Sequence, residues 1–100
     1  MKLSIIIPVF NEEGSLRELH HQITISIKMF EEYEIVFIDD GSSDESKLII
    51  QNMIEKDPRV SLISFFRNFG KSAALSEGFK YASGDIIITM DADLQDDPNE

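Results

Sequence analysis

The sequence predicts an α/β fold, a mostly parallel four-stranded sheet with helices on both faces. Four apolar runs of strand length alternate with three segments whose apolar residues recur at helical spacing, which gives the order β-α-β-α-β-α-β. The connections are short, which favours parallel strands joined by right-handed crossovers. Three of the four strands end at polar, mostly acidic residues. In a parallel sheet these ends lie at one edge, which is where open α/β sheets bind ligands.

The first half of the chain is predicted to form a strand, a helix and a second strand. The first strand covers residues 2–10, with Pro8 near its end, where a missing backbone donor is tolerated. Ser15 and Glu18 fit a capping box, which predicts that the first helix opens there. The second strand covers residues 33–38 and ends at two aspartates. This half is therefore predicted to be one β-α-β unit.

The second half repeats the alternation. Residues 42–45 fit another capping box, which predicts the start of the second helix, and residues 60–65 are the third predicted strand. Ser72 is expected to open the third helix, and Gly84 to end it as a left-handed cap. The fourth strand is predicted to begin at Asp85 and, being continuously apolar, to be buried on both faces.

Composition excludes several classes of protein. A chain of 100 residues with 42% hydrophobic and 28% charged residues is typical of one globular domain. No apolar run approaches the roughly 20 residues of a membrane helix, and the first residues do not resemble a signal peptide. Without cysteine there is no disulfide, thiolate zinc site or thiol nucleophile, which fits a reducing, cytoplasmic compartment. The net charge of −10 argues against a nucleic-acid partner.

The residues after the fourth strand carry the strongest chemical signal. Asp91 and Asp93 are one residue apart, so in extended geometry both carboxylates leave the same face, and Gln95 continues the alternation. An isolated Asp-x-Asp is more often solvated surface or a turn. Beside other acidic strand ends, however, repulsion between the carboxylates calls for a counter-ion. A magnesium-sized ion takes one or two carboxylates plus substrate phosphates, so we predict a metal–phosphate site.

Other polar residues are predicted to share this crevice, each with a plainer alternative. Asp39 and Asp40 suit a turn, or could accept hydrogen bonds from a ligand's ring N–H or ribose hydroxyls. Glu12 complements the dipole of the first helix, or faces the pocket. Arg67 and Lys71 are surface cations paired with nearby acids, or hold a diphosphate.

Some familiar sites are excluded. The Gly70-Lys71-Ser72 step lacks the earlier glycine of a phosphate-binding P-loop, because Phe65 stands there. No Gly-x-Gly-x-x-Gly supports a dinucleotide site, and His20 and His21 are expected on the surface. A magnesium-binding receiver domain or a haloacid dehalogenase-type phosphatase would place its acids after the first strand. An inert fragment without a function of its own is the third alternative.

Four blocks of the sequence, in order and together, resemble the successive motifs of family 2 glycosyltransferases. The blocks are IIIPVFNEE (5–13), VFIDDGSSD (36–44), RNFGK (67–71) and MDADLQ (90–95). The last block is similar to that of the polyprenol-phosphate branch, the dolichol-phosphate mannose synthase-like enzymes. The resemblance spans the whole chain, and one departure is Phe10, where the family commonly has tyrosine.

The resemblance implies a GT-A fold, a UDP- or GDP-sugar as donor, Mg²⁺ or Mn²⁺ as cofactor, and a polyprenyl phosphate as the acceptor. It also implies that residues 1–100 are the N-terminal nucleotide-sugar-binding part of a longer protein, with the acceptor-binding part missing. Such a protein is expected at the cytoplasmic face of a membrane, anchored by segments absent here. We expect this chain alone to bind nucleotide and metal weakly and not to turn over.

The resemblance assigns a role to each candidate site residue. The nucleotide-binding residues would be Pro8, Phe10 and Glu12 around the base, Asp39 and Asp40 at base and ribose, Arg67 and Lys71 near base and diphosphate, and Asp91 near the ribose. The metal ligands would be Asp91, Asp93 and Gln95, with Asp91 and Asp93 also the catalytic pair.

Overall fold

The computed structural model describes residues 1–93 and contains the predicted alternation of strands and helices. The strands are β1 (Lys2–Val9), β2 (Glu32–Asp39), β3 (Val60–Ser64) and β4 (Ile86–Thr89). The helices are α1 (Leu16–Ser26), α2 (Ser46–Lys56) and α3 (Lys71–Tyr81). Every strand pair in the sheet is parallel, so the predicted fold class is confirmed. None of the helices in the described part is long and apolar enough to cross a membrane.

The strand order is β3-β2-β1-β4, so the direction in which strands are added reverses between β1 and β4. Ile5 of β1 lies opposite Ile35 of β2 on one side and Ile88 of β4 on the other. Helices that leave such a reversal on opposite faces open a crevice at the carboxyl ends of the two strands. The topology therefore sets the candidate site at the ends of β1 and β4.

The two central strands divide their side chains between two hydrophobic layers. Ile5 and Ile7 of β1 belong to the larger cluster, which includes residues of α1 and α2, whereas Ile6 belongs to the smaller cluster with Ala74 of α3. All three isoleucines are fully buried, and burying such a side chain contributes about 1.5–3 kcal/mol. Helices therefore cover both faces of the sheet, as predicted.

The fourth strand differs from the prediction of a strand buried on both faces. Ile86 and Ile87 are 40% and 42% exposed, and β4 pairs only with β1 among the described residues. Burial depends on neighbours on both sides of a strand, and the described part of the chain supplies β4 with a neighbouring strand on one side only.

The predicted helix ends are also partly wrong. Ser15 does precede α1, but its side chain makes no capping bond, and α2 begins at Ser46 with Glu45 as the preceding residue, so residues 42–45 form no capping box. Gly84 has no positive φ, because α3 already ends at Tyr81. Gly84 is required for another reason, since a Cβ there would lie 2.8 Å from the Ser4 backbone nitrogen.

Candidate functional site

The carboxyl ends of β1 and β4 enclose a cavity of about 260 Å³. It contains most of the residues that the sequence placed in a crevice. The lining consists of Pro8, Val9, Phe10, Glu12, Asp40, Lys71, Asp91, Ala92 and Asp93. Two predicted site residues, Asp39 and Arg67, do not line this cavity, and Gln95 lies outside the described residues.

Opposite charges meet on one wall of the cavity. The Lys71 ammonium donates a hydrogen bond of 2.7 Å to Asp91 Oδ1, and the two side chains are 63% and 43% exposed. An ion pair this exposed contributes at most about 1 kcal/mol, because water and salt screen it. This ion pair therefore places a positive and a negative group side by side at the cavity without a large contribution to stability.

The acids of the cavity repel one another. Burial, followed by the negative charge of Asp93, raises the pKa of the Glu12 carboxyl, and the charges of Asp44 and Asp91 act in the same direction. The nearby Ser15 side chain opposes this rise in the pKa of Glu12. The crevice thus concentrates negative charge that a bound cation would offset.

The carboxylates suit a divalent cation whose coordination is completed by a ligand. Among residues 1–93 there is no group of three acidic, histidine or cysteine side chains able to hold a metal ion by themselves. Magnesium, however, commonly uses only one or two carboxylates together with substrate phosphates. Asp91 and Asp93 supply two carboxylates beside a cavity large enough for a phosphate group, so the residues present fit the predicted Mg²⁺ or Mn²⁺.

Asp40 holds the loop that leads into α3. Its carboxylate is almost fully buried and accepts hydrogen bonds from Phe69 N at 2.7 Å, Gly70 N at 3.1 Å and Asn68 Nδ2 at 3.2 Å. A carboxylate has about four acceptor positions, so one remains for a ligand. Asp40 therefore positions the start of α3, and with it Lys71, while also lining the cavity.

Gly41 allows the same loop to lie against the end of β2. Its φ is +73°, and a Cβ at this position would lie 2.2 Å from the carbonyl carbon of Arg67. The sequence predicts a tight turn here, and the structure adds a close backbone approach that no side chain could share.

Asp39 and Arg67 lie outside the cavity for different reasons. Asp39 is buried, and its Oδ1 accepts a hydrogen bond from Ser42 N, so it closes the turn after β2. Arg67 is exposed and stacks over the rings of Phe69 and Phe66, with its guanidinium carbon 4.6 Å and 5.6 Å from the ring centroids. The ligand contacts predicted for these two residues remain predictions.

Two residues have roles at the site that the sequence did not assign to them. Asn11 has a φ of +53° and its Oδ1 accepts hydrogen bonds from Ser43 N and Asp44 N, so it ties the loop after β1 to the loop after β2. Asparagine tolerates the left-handed region, which is the signal that could have found it. Ser15 was interpreted as a helix cap, but its hydroxyl donates to the carbonyl of Ala92 at 2.8 Å.

Comparison with known proteins identifies relatives over nearly the whole chain. The family model described as glycosyl transferase family 2 matches residues 4–100. The chain is 45% identical over 101 residues to the undecaprenyl-phosphate 4-deoxy-4-formamido-L-arabinose transferase of Proteus mirabilis (strain HI4320). It is 46% identical to the protein of the same name from Salmonella choleraesuis (strain SC-B67). Each alignment covers 99% of this chain but only 31% of the relative's length.

Solved structures share the fold. The mannosyltransferase PcManGT from Pyrobaculum calidifontis, in complex with GDP-Man and Mn²⁺, matches 91% of this chain with a TM-score of 0.83 and 26% identity, over 27% of its own length. S. aureus TarS 1-349 in complex with UDP-GlcNAc matches 93% of this chain with a TM-score of 0.77 and 28% identity, again over 27% of its length. The predicted GT-A type of fold is thereby confirmed for this part of such proteins.

Proposed function

Since the chain belongs to glycosyl transferase family 2, we propose that the protein transfers a sugar from a UDP- or GDP-sugar to an acceptor, a polyprenyl phosphate. The relatives in Proteus and Salmonella, whose names specify undecaprenyl phosphate, support this acceptor. Membership of this family argues against the two alternatives considered from the sequence, a receiver domain and a haloacid dehalogenase-type phosphatase. Because the chain spans 31% of these relatives, we further propose that residues 1–100 form the nucleotide-sugar-binding part, and that the acceptor is bound elsewhere at the cytoplasmic face of a membrane.

The observation that carries the proposal is the meeting of both signs of charge in one cavity. Asp91 and Asp93 follow the end of β4, the strand that pairs with β1, and Lys71 at the start of α3 lies 2.7 Å from Asp91. The phosphates of a nucleotide diphosphate are negatively charged and need positive partners. A divalent cation would be one such partner, and the Lys71 ammonium would be the second. Asp91 and Asp93 would hold Mg²⁺ or Mn²⁺, completed by Gln95 and by the diphosphate oxygens.

The remaining lining residues suit the nucleoside. Phe10 is 47% exposed at the cavity, so its ring is available for stacking on a base beside Pro8. Phenylalanine lacks the hydroxyl of the family's usual tyrosine, so this contact is stacking alone. Glu12 and the remaining acceptor position of Asp40 would take N–H or O–H groups of the base and ribose. Asp39 and Arg67 would contact the ligand only if the ligand extends beyond this cavity.

The transfer step places growing negative charge on the leaving diphosphate. A bound divalent cation would act there as a Lewis acid. The ammonium of Lys71 would add a positive charge at the same oxygens, which is why its exposed position beside Asp91 matters. A phosphate acceptor is already anionic near neutral pH, so no strong general base is needed from this chain.

Thermal unfolding with nucleotides tests the proposal. We expect UDP or GDP to raise the melting temperature with Mn²⁺ and to have little effect without it. A ligand at one hundred times its Kd adds about 2.7 kcal/mol to the free energy of unfolding. Changing Asp91 and Asp93 together to asparagine should abolish the shift, whereas Asp85→Asn, at the opposite end of β4, should keep it. A metal-independent shift, or one that survives the double change, would contradict the proposal.

A further inference from the structure

The hydroxyl of Ser15 has a structural task that the helix-cap interpretation does not explain. Ser15 immediately precedes α1, and its side chain makes no capping bond to the helix. Instead Ser15 Oγ lies 2.8 Å from the carbonyl oxygen of Ala92 and 3.3 Å from that of Glu12. A serine hydroxyl has one proton, and the shorter distance favours Ala92 as the acceptor.

Ala92 is the residue between the two aspartates of the proposed metal site. Its side chain is only 3% exposed and belongs to the larger hydrophobic cluster, while Asp91 and Asp93 on either side are exposed. The carbonyl of Ala92 is held by Ser15 and its methyl group by the core. The peptide that carries both carboxylates is thus fixed at its centre.

This anchor acts where the sheet no longer holds the chain. β4 ends at Thr89, and the next backbone bond to β1 runs from Met90 N to Ile6 O at 3.0 Å. Past that bond, the negative charges of Asp91, Asp93 and Glu12 act against a close approach of their carboxylates. The hydrogen bond from Ser15, which directly precedes α1, to the carbonyl of Ala92 counteracts that tendency before any cation is bound.

We propose that Ser15 is a positioning residue for the metal-binding aspartates, an inference that rests on the proposed function. By holding the Ala92 carbonyl, Ser15 fixes the position of the backbone from which the side chains of Asp91 and Asp93 extend. Ser15 itself contacts neither cation nor nucleotide. Its loss should therefore weaken the contribution of the metal to nucleotide binding and leave metal-independent contacts at Phe10 unchanged.

Three substitutions separate this role from helix capping. Ser15→Thr keeps a hydroxyl, Ser15→Ala removes it, and Ser15→Gly removes it while remaining nearly as good an N-cap as serine. The quantity to measure is the ratio of the Kd for UDP or GDP without Mn²⁺ to the Kd with Mn²⁺, by calorimetry. We expect Ser15→Ala and Ser15→Gly to lower this ratio about tenfold. This is the lower end of the roughly 10–100-fold losses seen when groups that orient metal ligands are removed. Threonine should restore it.

The outcomes distinguish the two proposals. If the unchanged protein shows no gain from Mn²⁺, the proposed function fails and this inference falls with it. If the unchanged protein shows the gain and Ser15→Ala keeps it, only the positioning role of Ser15 is overturned. If Ser15→Ala lowers the Kd ratio but Ser15→Gly does not, the effect comes from helix capping, and the positioning role of Ser15 is again overturned. Ser26→Ala, an exposed serine at the other end of α1, is the matched control and should leave the ratio unchanged.

Discussion

Replacing Asp40 with asparagine turns one oxygen of a buried carboxylate into an NH₂ group while keeping the shape of the side chain. In the structure Oδ1 accepts from Phe69 N, and Oδ2 accepts from Gly70 N and Asn68 Nδ2. Every one of these partners is a donor. Whichever way the asparagine amide turns, its NH₂ group will face an N–H, and at least one backbone donor of the loop will lose its acceptor.

The expected cost of Asp40→Asn follows from these bonds. A hydrogen bond to a charged group contributes about 1.5–3 kcal/mol, and an unsatisfied buried donor costs about 1–3 kcal/mol. We therefore expect a loss of about 3 kcal/mol in the free energy of unfolding without ligand, out of the roughly 5–15 kcal/mol typical of a domain. For a domain of this size the melting temperature should fall by roughly 12–24 °C.

Urea denaturation followed by circular dichroism measures this loss directly. Asp85→Asn is the control, because Asp85 is exposed and accepts a bond from Lys2 N at 2.9 Å, far from the cavity. A loss below about 1 kcal/mol for Asp40→Asn, or one equal to that of the control, would refute the idea that Asp40 holds the loop. The measurement uses no nucleotide, so it does not depend on the proposed function.

Two further predictions concern stability and pH. Burial and then the charge of Asp93 raise the pKa of Glu12, so the folded state loses stability as pH rises from 4.5 through that raised value. Glu12→Gln should therefore raise the urea midpoint near neutral pH, and a gain that persisted in acid would contradict this cause. Although burial opposes it, hydrogen bonds from Ser4 and Ser83 and the charge of Lys2 lower the pKa of Glu34. This contribution is present above pH 4.5 and is lost as pH falls through the lowered pKa, so Glu34→Gln should lower the urea midpoint at about pH 7 and much less at about pH 3. An equal fall in the urea midpoint of Glu34→Gln at both pH values would contradict this explanation.

The architecture could be predicted because it depends on patterns within short segments. Strand and helix periodicities give the order of elements, and short connections give parallel strands. The exposure of β4 could not be predicted in the same way. Ile86 and Ile87 belong to an apolar run that would suit a central strand equally well, and only the strand order shows that β4 has one neighbouring strand within residues 1–93.

The site was predictable to the level of which residues meet, not of what they bond. Acidic strand ends must converge at one edge of a parallel sheet, and Glu12, Asp40, Asp91 and Asp93 do line one cavity. Side-chain partners depend on distant parts of the chain. The Ser15 hydroxyl bonds a carbonyl 77 positions away, a contact that no local motif encodes.

The pairing of β1 with β4 has a consequence for the order of folding. β1 lies beside β4, the last strand of the described residues, and Lys2 and Asp85, 83 positions apart, are joined by two hydrogen bonds. Lys2 N donates to the Asp85 carboxylate, and Asp85 N donates to the Lys2 carbonyl. Contacts of such long range form slowly, because the intervening chain must be ordered first. During synthesis β1 and β2 can pair early, but the crevice has no second wall until residues near 90 have left the ribosome. Binding at this cavity therefore requires that β4 has paired with β1, and ligand capture would report that this pairing has formed.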